Sequence, residues 1–192
     1  MSDAEATALA LAGRTGLPGE MLYLRDAFPR ERWATNLHPT AAFWLQMHGG
    51  FRAQQERMAR TVALWRNGAL DPRGLHARLI PELSAFLQHL DGHHRIESGH
   101  YFPAMRRMEP RIEAGIDLLD RDHDAVHGHL EALLTTGRAF HEAVAGGAPT
   151  ASDTASRLGD ALDAAAAPLL RHLEDEEDII IPLICLKGDP VG

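Results

Sequence analysis

His93 and Glu97 stand four residues apart in "HHRIESGHYFP" (93–103), His123 and His127 four apart in "HDAVH", and His172 and Glu176 four apart in "HLEDE". Residues at this spacing share one face of a helix, about 40° apart in projection and one turn along. Each pair sits among apolar residues of helical period, so each is expected to point inward. His48, in "FWLQMHGGF", adds a single candidate further upstream. Five histidines and two carboxylates would then converge. Neutral imidazole suits iron, copper, zinc or nickel, and a carboxylate can bridge two cations. This ligand set exceeds what one first-row ion takes and suits two six-coordinate ions that share both carboxylates, with one position open to a small molecule. The single cysteine, Cys185, removes any thiolate pull toward zinc or copper(I). Two irons are the natural filling.

The elements that must position these residues are legible from glycine, proline and periodicity. "TGLPGE" (15–20), "HPT" (38–40), "NGALDPRG" (67–74), "MEPR" (108–111) and "AGGAPTASD" (145–153) are breaks. Between them, apolar residues recur at three- and four-residue spacing. They run through Phe43, Met47, Phe51, Met58 and Val62, then Leu75, Leu79, Leu83, Phe86 and Leu90. They continue through Ile112, Ile116, Leu119, Val126, Leu130 and Leu134, then Leu158, Leu162, Leu169, Leu173 and Ile180. The fold class expected is all-α: an antiparallel four-helix bundle over residues 36–188, with residues 1–35 as a short N-terminal extension packed on it.

A weak internal repeat supports this reading. His93–x3–Glu97–x5–Pro103 matches His172–x3–Glu176–x5–Pro182, so the second and fourth helices would carry matching ligand pairs and end in matching proline breaks. The order H, HxxxE, HxxxH, HxxxE across four helices resembles the hemerythrin-like (HHE cation-binding) family, with "HHRIESGHYFP" and "HLEDEEDIIIP" the most specific stretches. The resemblance implies a non-haem di-iron site, oxo- or hydroxo-bridged, that binds oxygen, peroxide or nitric oxide. It implies that His123, His127 and His172 hold the filled iron, that His48 and His93 hold the iron with the open position, and that Glu97 and Glu176 bridge. Oxygen carriers of the family close with a five-residue His-to-Asp step, whereas Glu stands at both the fourth and fifth positions after His172 here. Glu177 lies about 140° round the helix from His172, so Glu176 is the expected ligand.

Other residues have secondary expectations. Tyr101, His89 and His100 are the candidate proton or electron donors within about one turn of the His93–Glu97 pair. His94 and His129 are expected off the ligand face and partly exposed. Asp120 and Glu131 are either acceptors that orient the imidazoles of the HxxxH pair or solvated salt-bridge partners. The run "EDEED" (174–178) is expected to be a solvated face apart from Glu176, and Phe43 and Trp44 form either the wall of a small apolar pocket or ordinary core.

Composition limits the partners. The formal net charge is -8, and the 19 Lys+Arg residues form no run, which argues against nucleic acid and anionic membranes. No segment has the length and apolarity of a membrane span, and the acidic opening "MSDAEATALALAG" lacks the marks of a secretory signal, so the expected location is cytoplasmic. A redox partner, if one exists, has no signature in the sequence. Two classes of function stay open: a protein that binds or stores oxygen, and an enzyme that decomposes peroxide or reduces oxygen or nitric oxide. Iron handling or repair is a third, lesser alternative.

Overall fold

A computed structural model of the chain describes residues 9–192, so the first eight residues of the expected extension lie outside the described residues. The elements are helical throughout, with no strand among the described residues. A short helix α1 (Tyr23–Ala27) precedes α2 (Pro39–Arg66) and α3 (Pro72–Ile96). A π-turn (Glu97–Tyr101) joins α3 to a short helix α4 (Phe102–Met108), followed by α5 (Glu113–Ala145) and α6 (Ala151–Lys187). None of these helices is long and apolar enough to cross a membrane.

The long helices α2, α3, α5 and α6 each contribute a segment to two compact units. The unit formed by Gly50–Gly92 and Val126–Ala167 holds the two tight inter-helix turns. Gly68 (φ 76°) lies near the start of the first and Gly147 (φ 62°) near the start of the second, each in a left-handed conformation that glycine adopts without steric cost. Arg57 on α2 pairs with Glu82 on α3 at 2.6 Å, so these helices run antiparallel on either side of their turn. Phe51 meets Phe86 edge to face at 6.3 Å. A Cβ at Gly137 would come 2.9 Å from Leu83 Cδ2, so α5 approaches α3 closely there because the position has no side chain.

The other unit joins His93–Ala125 and Pro168–Gly192 to the described residues up to Gly49. Its core contains Ala41, Trp44, Phe102, Met105, Ile116, Leu119 and the run Ile179–Ile184. Leu24 of α1 is buried in the same cluster, and Leu17, Tyr23, Trp33 and Leu37 pack against it. The described N-terminal section is therefore part of this unit's core.

The prolines behave differently from the expected matching breaks. α6 continues through both Pro168 and Pro182 to Lys187. Pro103 instead follows the π-turn, whose closing bond runs from Phe102 N–H to the Glu97 carbonyl. A proline ring clashes with the carbonyl four residues back in a regular helix, and the five-residue turn relieves this. It also places Glu97 and Phe102 on a common face, and both are buried.

Candidate metal centre

Two groups of potential ligands lie side by side in the second unit described. His48, His93, Glu97 and Glu176 form one and His94, His123 and His172 the other, with the ligand atoms of each group within 4.8 Å of one another. α2 supplies His48, α3 supplies His93 and His94, and the π-turn opens on Glu97. α5 supplies His123, and α6 supplies His172 and Glu176.

The carboxylates lie between the groups. Glu97 Oε1 is 2.8 Å from His93 Nε2, and its Oε2 is 3.4 Å from His123 Nε2. Glu176 Oε2 is 3.6 Å from His48 Nε2 and 3.5 Å from His172 Nε2. The Nε2 atoms of His48 and His93 are 3.2 Å apart. Each glutamate thus reaches both groups, which is the placement a bridging carboxylate needs.

Much of this chemistry is unsatisfied by protein. Nε2 of His94, His123 and His172, both oxygens of Glu97 and Oε2 of Glu176 are buried without a hydrogen-bond partner. The 2.8 Å approach of His93 to Glu97 is not aligned as donor to acceptor. An orphaned buried polar atom costs about 1–3 kcal/mol, and folded proteins carry only a few, scattered through the chain. Here they converge, and a cation accepted by all of them removes the penalty. The residues therefore fit bound metal.

Partners behind the imidazoles fix which nitrogen faces the centre. Ser98 Oγ donates to Asp120 Oδ1 at 2.7 Å and lies 3.0 Å from His123 Nδ1. The hydroxyl's one proton is committed to Asp120, so Nδ1–H of His123 donates to it and Nε2 keeps its lone pair for the centre. His48 Nδ1 lies 3.1 Å from Glu177 Oε1, which imposes the same tautomer. Trp44 Nε1–H donates to Glu176 Oε1 at 2.7 Å, leaving Oε2 as the oxygen turned to the two groups. Such outer partners orient ligands and raise their basicity.

Without a cation the environment opposes charge. Burial pushes Glu97 up to about 8 and Glu176 up to about 7, the latter helped by the neighbouring Glu97. Burial pulls His123 down to about 2 and His94 well below the usual histidine range. These two imidazoles are held neutral, the state in which they ligate. The carboxylates await a positive charge to ionise them.

The seven residues singled out from the sequence do not all meet. His48, His93, Glu97, His123, His172 and Glu176 come together, but His127 does not. Its side chain is 57% exposed, 3.4 Å from Glu131 and 4.0 Å from Asp91. The buried face of α5 is centred near Val126, about 60° from His123 and about 100° from His127. His94, expected off the ligand face, takes the vacant place and is buried, its ring stacked on His123 at 4.1 Å and 12°. His93 and His94 lie about 100° apart on α3, so each addresses a different group. The signal was the adjacent pair of histidines itself.

The remaining candidates also separate. His89 and His100 are exposed. Tyr101 is half-buried and packs edge-on to Trp44 at 4.9 Å, one ring removed from Glu176. Phe43 is 58% exposed and forms no wall, whereas Trp44 is buried against His48 and His93. The acidic run is not solvated: Asp175, Glu176, Glu177 and Asp178 are all buried. Arg30 reaches Asp178 at 2.7 Å and Glu177 at 3.4 Å, and Arg25 reaches Asp178 at 3.1 Å. The N-terminal section covers this face with cations, which no local pattern in "EDEED" foretells.

No curated protein and no solved structure matches the chain. The profile of the hemerythrin HHE cation binding domain matches residues 40–184, a span that begins at the start of α2, ends near the end of α6 and takes in every residue of both groups. With most of its length so matched and its histidines and glutamates gathered where a cation would sit, the chain belongs to the hemerythrin HHE cation-binding family.

Proposed function

We propose that this chain holds two iron ions, one on His94, His123 and His172 and one on His48 and His93, with Glu97 and Glu176 shared, and that it binds a small ligand such as oxygen, peroxide or nitric oxide there. The observation that carries the reading is the placement of the two glutamates, each with oxygen within 3.6 Å of an imidazole nitrogen in both groups. The set is nitrogen and oxygen only, which suits iron. Bound iron would supply redox-active positions for such ligands. The group with fewer histidines, His48 and His93, has the greater capacity for an exogenous one.

The chain's own residues favour binding over turnover. Trp44 closes the His48–His93 side with an apolar ring whose one N–H is already donated to Glu176. His89 and His100, the two imidazoles that could have delivered protons, are exposed instead. A bound small molecule kept from proton donors is returned intact rather than reduced. Tyr101 favours the enzymatic alternative, because the Tyr101–Trp44–Glu176 contacts form a continuous path toward the partly exposed phenol.

The test is iron content followed by oxygen uptake. The purified full chain from iron-replete cells is expected to hold about two irons. Its reduced form should take up oxygen and release it under vacuum, without evolving oxygen from added peroxide. Iron near one per chain would sink the two-iron reading, and rapid peroxide turnover lost in Tyr101→Phe would move the assignment to the enzyme.

A further inference from the structure

His172 is fully buried, and its outward Nδ1 has no hydrogen-bond partner. Its neighbour is Asp122 Oδ2, 3.7 Å away and just beyond hydrogen-bond reach. Asp122 is buried too, and Arg14 of the N-terminal section holds it. The guanidinium grips both carboxylate oxygens, Nη1 lying 3.2 Å from Oδ1 and Nη2 pairing with Oδ2. Nε of the same arginine donates to Asp175 Oδ2 at 2.8 Å, and Nη1 also donates to the Leu9 carbonyl at 2.7 Å. The side chain of Arg14 is 1% exposed. Asp175 is further paired with Arg171, one turn back on α6.

This arrangement joins three elements behind one ligand group. Asp122 is the residue before His123 on α5, and Asp175 is the residue before Glu176 on α6. A buried arginine that chelates one carboxylate and bonds a second orders both, because its planar fork accepts few geometries. Asp122 Oδ2, held by Nη2, has lone-pair capacity left, and His172 Nδ1 is 3.7 Å from it. When Nε2 of His172 gives its lone pair to a cation, Nδ1 must carry the proton, and Asp122 is the acceptor placed for it.

We propose that Arg14 is a positioning residue for the His94–His123–His172 group, acting through Asp122 on His172, so that the N-terminal section completes that half of the centre from outside the four long helices. The inference rests on the metal reading above and adds a part of the chain that precedes the family match, which begins at residue 40. Its reach is selective. Arg14 reaches toward His172 through Asp122, whereas Arg30 pairs with Glu177, the partner of His48. The two arginines therefore serve different ligand groups.

The experiment uses the full chain loaded with Co(II) alone, whose visible spectrum reports each bound ion, and follows release to an excess chelator. In wild type both ions should leave slowly. Arg14→Met should speed release of one ion by about 10–100-fold, the usual effect of losing an outer partner, with the second ion released at the wild-type rate. Arg14→Lys, which keeps the charge and loses the fork, should fall between, and Arg30→Met should spare the ion that Arg14→Met affects. Should Arg14→Met fail to fold, Arg14→Lys and Asp122→Asn carry the same expectation of one fast and one unchanged phase. Wild-type release of both ions in the Arg14 variants overturns the proposal. So does equal acceleration of both with falling helicity, which would mark Arg14 as a fold-stabilising contact only. If wild type takes up fewer than two Co(II) ions, the two-metal reading fails first, and the Arg14 role fails with it.

Discussion

His94→Ala and His127→Ala test the ligand assignment where structure and sequence expectation part. In His94 the imidazole is buried, stacked on His123 at 4.1 Å and edge-on to His172 at 5.3 Å, with Nε2 unpartnered. Structural zinc sites with four protein ligands bind with an apparent free energy of roughly 10–16 kcal/mol, about 3 kcal/mol per ligand, which sets the scale here. Losing His94 should therefore weaken the ion held with His123 and His172 by at least about 100-fold. The ion on His48 and His93 keeps all its ligands. Two opposing terms act on the metal-free fold: the variant loses packing against His123, but it also removes an orphaned buried nitrogen that costs about 1–3 kcal/mol. Its metal-free melting temperature should accordingly move by only a few degrees. His127 is 57% exposed beside Glu131, an exposed pair worth roughly 0–1 kcal/mol, and His127→Ala should bind two metals within about twofold of wild type. The assay is metal content after dialysis, paired with competition against a chelator of known affinity. If His94→Ala retained both ions at wild-type affinity while His127→Ala lost one, the geometry of α5 would be wrong and His127 would regain the place the sequence suggested.

Glu176→Ala should lose metal from both groups, because Oε2 of Glu176 lies within 3.6 Å of an imidazole nitrogen in each. Glu177→Ala should keep both ions but release the His48–His93 ion about 10–100-fold faster, since Glu177 only orients His48; the reverse pattern would put the ligand one residue further along α6. Metal uptake should also depend on pH through the carboxylates. Glu97 is raised to about 8 and Glu176 to about 7, so binding near pH 6 must expel their protons and binding near pH 9 expels almost none. Affinity should rise across that window and then level off. Calorimetry in buffers of different ionisation enthalpy measures the protons released, and equal release at both pH values would refute the account. For the metal-free fold the sign is opposite. A carboxyl raised from 4.5 to about 8 contributes stability that is present below pH 4.5 and is lost as pH rises through 8.

What the sequence determined by itself was the helical architecture and most of the residues of the candidate centre. Period-three-and-four apolar spacing follows from local helix geometry, so α2, α3, α5 and α6 were legible with their loops. A pair at i and i+4 needs only the helix to share a face, which is why His93 with Glu97 and His172 with Glu176 could be placed without knowing the packing. The tertiary structure decided the choices that rest on a helix's rotation about its axis or on partners far apart in the chain. His123 and His127 both fall within the apolar pattern of α5, and only packing centres the buried face near Val126 and turns His127 out. His94 gains its role because two groups flank α3, which the pattern of one helix does not encode. The π-turn at Glu97–Tyr101 depends on how Pro103 is accommodated. The burial of Asp175, Glu177 and Asp178 depends on Arg14, Arg25 and Arg30 arriving from 147 to 161 residues away. An isolated acidic run reads as solvated because carboxylates cost too much to bury alone, and only the folded chain supplies the cations that reverse the sign.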